Sequence, residues 1–217
     1  MLSARLVGPS GEVVGIERDW RAIARARERV VEAGLHNVSF IQSDVSQFTA
    51  SKPFDAAVGR LILMHLPDPV SVLRSVSRLV RPGGVVAFHE PYWAPVLALL
   101  APLPLWSAAA SLIHETFQQS GANPELGPAL YRAFREAGLP GPTMRLEMPL
   151  GKDPDLAQCC SDLIISLQPR IQQLNLPLES LGNLDTLSER LKAEVAASNT
   201  VVAWLAPVGA WARKQSD

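Results

Sequence analysis

The sequence predicts an α/β protein built on a parallel sheet, and three observations predict it. Short apolar runs of strand type recur at 13–17 (VVGIE), 38–42 (VSFIQ), 54–59 (FDAAVG) and 85–89 (VVAFH). Helical spacing fills the intervals after the first and the third of them. A polar residue stands at or just beyond the carboxyl end of each run: Glu17, Asp44, Arg60 and Glu90. Apolar strands joined by helices make right-handed crossovers and a sheet covered on both faces. In such sheets ligands bind beyond the carboxyl ends of the strands, where these four residues fall.

Each element has a local cause. Asp19 can cap a helix whose apolar positions Trp20, Ile23, Ala24, Val30 and Val31 keep roughly helical spacing, and Gly34 stops it. Asp68-Pro69 supplies a cap and a first-turn proline for a helix striped by Val72, Leu73, Val76, Leu79 and Val80. Pro82-Gly83-Gly84 turns the chain into the fourth strand. After residue 91 the rhythm changes. Helical stretches occupy much of 94–137, one opened by Asn123-Pro124 and closed by Gly138. PTMRLEMPLG (142–151) reads as a strand. Helix follows over roughly 154–175, bent at Pro169, and over 184–198 with Asp185 as cap and Leu187, Leu191 and Val195 aligned. Residues 199–206 read equally as strand or helix end, and VGAWARK (208–214) as a last strand.

Composition sets bounds. With 217 residues, 47% hydrophobic and 19% charged, the chain can build an ordinary buried core, which argues against wholesale disorder. A formal net charge of -1 without a basic run leaves no electrostatic footprint for nucleic acid. Cys159 and Cys160 are adjacent, a spacing that suits neither an ordinary disulfide nor a metal site and points to a reducing, cytoplasmic setting. No metal is expected. The uncharged stretch 92–113 has the length of a membrane span, but Pro95, Pro102 and Pro104 interrupt it, so a buried or lid segment is expected instead.

Five pieces in order, VVGIERD, SFIQSDV, FDAAVGRLILMHLPDP, LVRPGGVVAFHEP and the closing VGAWARK, give the chain its resemblance. It resembles a class I S-adenosylmethionine-dependent methyltransferase of the small-molecule, quinone-biosynthesis type. The resemblance implies a Rossmann-like seven-stranded sheet in the order 3-2-1-4-5-7-6, with strand 7 antiparallel and helical insertions forming a cap. Here the first strand and its glycine-rich turn would precede residue 1. The expected organisation is a single domain: a truncated cofactor-binding core over 1–91, a helical cap over 92–141, and the last core strands over 142–217 with a second insertion near 154–198. Truncation of a complete enzyme is preferred to true loss of the loop, because Glu17 and Asp44 remain. A neighbouring chain or an irregular amino end is expected to fill the gap between the second and fourth family strands.

The resemblance also implies roles. Glu17 would grip both ribose hydroxyls of the cofactor, since one carboxylate can accept two hydrogen bonds from a vicinal diol. Asp44 would accept from the adenine amino group, with the Val45 backbone N–H facing a ring nitrogen, although an Asp in this place also caps loops. Arg18 could stack on adenine, and Arg60 could bind a cofactor or substrate anion, or pair with a neighbouring acid. Where the methyl acceptor must lose a proton, His is the usual base. The candidate catalytic residues are His65, the better base, and Glu90; His89 also ends a strand, and His114 and Glu115 lie in the expected lid. Trp93, Trp106 and Phe117 suggest an apolar or aromatic small-molecule acceptor, though such side chains are more often core. Two readings from other classes stand beside this one. A catalytically silent methyltransferase-like subunit is one. A nicotinamide-dependent dehydrogenase is the other, and the lack of a Tyr-x-x-x-Lys pair counts against it. A homodimer stays open.

Overall fold

The computed structural model describes residues 2–215; Met1, on which the expectation of a wrong start rests, lies outside them. A short helix α1 (Leu2–Leu6) leads into β1 (Val13–Glu17), which pairs in parallel with β2 (Val38–Gln42), Val13 opposite Val38 and Glu17 opposite Gln42. The crossover between them is α2 (Trp20–Glu32), opened as expected by Asp19, whose carboxylate accepts the Arg21 N–H. Only Ile23 and Val30 of its expected stripe are buried, while Trp20 and Val31 face solvent. A two-stranded sheet is too narrow to cover the whole apolar face of a 13-residue helix.

The second parallel pair is β3 (Phe54–Arg60) and β4 (Val80–Pro91), linked by a 3-10 turn (Leu63–His65) and α3 (Pro69–Leu79). Asp68 caps α3 and Pro69 occupies its first turn, as the sequence indicates. The chain then builds α4 (Ala94–Leu100), α5 (Pro104–Gln119) and α6 (Leu126–Glu136) before returning to the sheet as β5 (Thr143–Leu146). The expected strand over 142–151 divides: after β5 the chain leaves the sheet, and Leu150–Gly151 (β6) pairs with Val202–Ala203 (β7). Within the ambiguous stretch 199–206, only Val202–Ala203 form a strand. Two further helices are α7 (Pro154–Gln173), with Pro169 inside it, and α8 (Leu187–Ala197). The turn before α8 is capped by Asn183, which accepts the Asp185 N–H, so Asp185 is the capped residue rather than the cap.

The last strand, β8 (Pro207–Arg213), inserts antiparallel between β4 and β5, giving a sheet in the order β3-β4-β8-β5. Beside β2-β1, this is the Rossmann-like order that the resemblance implies, without its first strand. Among the described residues, no strand pairs with the facing edges of β1 and β3. The amino end does not fill that interval. It is tied to the start of β2 instead, where the Asn37 side-chain amide lies 3.0, 2.9 and 3.2 Å from the Ala4, Gly8 and Gly11 carbonyl oxygens.

Two separate cores result. One lies under α3 and α6 on a single face of the larger sheet, where Phe88 meets Phe134 edge-on at 6.5 Å. Although α6 falls within the range expected for the cap, it belongs to this sheet core. Gly127 makes that possible: a Cβ there would sit 2.7 Å from Val208 and 3.0 Å from the Pro91 carbonyl oxygen. The other core belongs to α4, α5, α7 and α8 and is centred on Trp93, Trp106 and Trp204. Trp204 stands edge-on to both partners, at 5.8 and 6.0 Å. No described helix is long and apolar enough to cross a membrane.

Candidate functional site

The carboxyl ends of β1 and β2 bring Glu17, Arg18 and Asp44 together. Glu17 Oε1 accepts the Arg18 and Asp19 N–H groups at 2.7 and 3.0 Å, which fixes the carboxylate over the opening of α2 and leaves Oε2 without a partner among the described residues. The Arg18 guanidinium stands 3.6 Å from Asp44 Oδ2. Asp44 Oδ1 accepts the Ser46 N–H and hydroxyl at 2.8 and 2.6 Å, so Asp44 does cap its own loop. Those two hydrogen bonds hold its carboxyl below the usual range, with a smaller contribution from Arg18. Asp44 is thus anionic and still presents one oxygen. The Val45 backbone N–H makes no hydrogen bond among the described residues, and its side chain rests on the sheet core.

Across the interval, Arg60 ends β3 directly opposite His89 of β4. Burial pushes the His89 imidazole below its ordinary value, and the Arg60 charge adds to that. Neighbouring residues of a strand face opposite ways, so His89 and Glu90 lie on different faces of the sheet. Glu90 is fully buried on the side of α3 and α6. Its carboxylate accepts three backbone N–H groups, from Ile62 and Leu63 on one oxygen and Met64 on the other, at 3.1, 3.0 and 3.1 Å. Burial raises its proton affinity, and the three hydrogen bonds only partly offset this. Glu90 therefore grips the turn that begins at Leu61, which has a positive φ of 52°, and ends at His65.

His65 is turned outward, its ring 6.1 Å from that of Phe117 on α5, and desolvation lowers its pKa. One turn earlier on α5, His114 Nε2 lies 3.1 Å from Glu125 Oε1. Glu125 was not singled out by sequence reasoning; it follows Asn123-Pro124, which reads only as a helix start. Glu115, its neighbour in the expected lid, instead bonds Gln119 on the surface. Among the described residues no group of His, Cys, Asp and Glu could hold a metal ion.

A parallel α/β sheet with an antiparallel strand at β8 and polar residues at the carboxyl ends of its strands defines the class. Solved structures agree on the fold. A methyltransferase from Bacillus halodurans superposes with a TM-score of 0.58 at 16% identity, over 94% of this chain and 84% of its own. The cyclase SpnF does so with a TM-score of 0.54 at 16% identity, over 99% of this chain and 70% of its own. The chain belongs to a methyltransferase-domain family, whose profile matches residues 1–138. Among curated relatives, demethylmenaquinone methyltransferase of Listeria monocytogenes is 33% identical over 88 residues, which cover 40% of this chain and 37% of that protein. The ubiquinone biosynthesis O-methyltransferase of Aliivibrio fischeri is 31% identical over 90 residues, 41% and 38% of the two chains. The match thus spans less than two-fifths of the length of these relatives.

Proposed function

We propose that the protein binds S-adenosylmethionine and transfers its methyl group to a small, apolar or aromatic acceptor. The observation that carries the proposal is Glu17, whose carboxylate is fixed by two amides and leaves an oxygen open at the tip of β1. That arrangement suits a vicinal diol such as a ribose. Asp44 and the Val45 N–H would take the adenine edge, Arg18 its face, and Arg60 an anionic group. When bound, the cofactor supplies an electrophilic methyl group. The chain's own residues orient the two reactants, exclude water and accept the acceptor's proton. His65 stands at the carboxyl end of β3, where an acceptor would lie, and Glu90 holds the turn that presents it. The named activities of the curated relatives, on demethylmenaquinone and in ubiquinone biosynthesis, favour a quinone-like ring as acceptor.

A second reading, a silent methyltransferase-like subunit, is favoured by the unpaired facing edges of β1 and β3. Calorimetric titration with S-adenosylmethionine and with S-adenosylhomocysteine separates the two. The methyl-transfer reading expects saturable binding that Glu17→Ala abolishes without lowering the melting temperature, because the Glu17 side chain supports no core. A folded wild-type chain that takes up neither ligand supports the silent subunit.

A further inference from the structure

The helical cap holds a cavity of its own. Its volume is about 170 Å³, and it opens where the start of α7, the second half of α8 and β7 meet. The wall is apolar and comes from four elements: Trp106 of α5, Ala157 of α7, Val195 of α8 and Val202 of β7. These four side chains are nearly closed to solvent and form its floor. Ala196 also lines the cavity but is exposed, so it stands at the mouth. None of these residues belongs to the group formed by Glu17, Arg18 and Asp44.

The rim is charged. Lys152, Asp153 and Lys192 complete the lining. Lys152 Nζ donates to the Ser198 carbonyl at the end of α8, at 3.2 Å, and makes no ion pair among the described residues. An ammonium carries three donors, so two of its N–H groups stay free. Lys192 Nζ lies 2.8 Å from Glu189 Oε1, but that carboxylate is 76% exposed, and water screens such a pair. Asp153 is the N-cap of α7, its Oδ1 accepting the Asp155 N–H, and the positive end of that 20-residue helix offsets its charge. The uncommitted charge at the mouth is therefore positive.

We propose that this cavity binds a small branched aliphatic carboxylate, its hydrocarbon body against Trp106, Ala157, Val195 and Val202 and its carboxylate between Lys152 and Lys192. The size follows from the volume, which equals that of roughly five or six molecules of liquid water. A compact body of about four carbons fills such a space, and an apolar wall favours hydrocarbon over water there. The lysines select the head group by charge-assisted hydrogen bonds. The occupant touches α5, α7, α8 and β7 together, so binding braces the cap. The proposal goes beyond the methyl-transfer reading and needs no cofactor.

The test titrates 3-methylbutanoate into the full chain without cofactor, followed by ligand-observed NMR and by melting temperature. The alcohol and the amine of the same carbon skeleton keep the body and change the head. The expected result is saturable binding of the acid, several-fold weaker binding of the alcohol and the weakest of the amine. The melting temperature should rise with acid concentration. Ala196→Leu plugs the mouth from an exposed helical position and abolishes binding of acid and alcohol alike. Lys152→Gln combined with Lys192→Gln weakens the acid several-fold and leaves the alcohol unchanged. Should Ala196→Leu fail to fold by circular dichroism, the lysine variant carries the test. No saturable uptake of the acid, undiminished uptake in a folded Ala196→Leu, an alcohol or amine that binds as tightly as the acid, or indifference to loss of both lysines would each overturn the assignment. A failed titration with S-adenosylmethionine leaves these results intact, so the two readings fail separately.

Discussion

The helical cap and the β1–α2–β2 unit are of similar local regularity, yet they are held together very differently. In the cap, Trp93, Trp106, Leu100, Ile113, Ile164, Ile171, Leu181, Leu187 and Leu191 are all essentially inaccessible and touch one another across four helices. In the unit that carries Glu17, the buried apolar side chains are Ala4, Ile23 and Val30, while Leu2, Leu6, Trp20, Val31 and Ile41 stand exposed. The cap completes its own core. The β1–α2–β2 unit offers one face and one strand edge that nothing among the described residues completes. Buried apolar area is the main source of stability, so the fold's anchor lies in the helical cap.

The comparison can be broken most directly at Trp106, which is 1% exposed and donates its indole N–H to the Leu191 carbonyl at 3.1 Å. Trp106→Ala should cost about 3–5 kcal/mol in denaturant unfolding, as deletion of a buried large aromatic does. Parity with a surface substitution would show that the cap is not the anchor.

Glu90→Gln comes next. A side-chain amide cannot accept from all three of the Ile62, Leu63 and Met64 N–H groups with both its ends, so a buried donor is left unpaired, at a cost of about 1–3 kcal/mol. The pH dependence has a definite sign. Glu90 has a raised pKa when folded, so the folded state holds the extra proton. Its contribution is fully present below the ordinary Glu value and is lost as pH rises through the raised folded value. Urea unfolding across this window should show that falling contribution in the wild type and not in Glu90→Gln.

The smallest effect is expected at Asp19, the cap of α2. Asp19→Ala should cost about 1 kcal/mol, confined to the β1–α2–β2 unit. Hydrogen exchange at α2 and β2 should quicken, while α5 and α7 remain as protected as before. The wild type should already exchange faster in 13–17 and 38–42 than in α5, and equal protection would remove the contrast between the two regions.

Much of this was legible along the chain, and the reasons are local. Asp19 and Asp68 cap the helices they precede, and the apolar runs before Glu17, Arg60 and Glu90 are parallel strands that carry those residues to one rim. Strand polarity at VGAWARK followed from the resemblance and is antiparallel as implied. What was hidden depends on partners far away in sequence. Asp185 looks like a cap, but Asn183 reaches the donor first. Val31 fits a helical stripe, but no second layer meets it. Glu90 reads as a pocket acid, yet amides 26 to 28 residues earlier take its oxygens. The pairing of His114 with Glu125 crosses the turn between α5 and α6 and leaves no motif.

The three-tryptophan cluster also makes the cap an optical object. Trp204 donates its indole N–H to Cys159 Sγ at 3.2 Å, and Cys159 is exposed, whereas burial pushes the Cys160 thiol up and keeps it protonated. A thiol-directed dye would therefore settle on one cysteine of an adjacent pair, beside an indole in contact with Trp93 and Trp106.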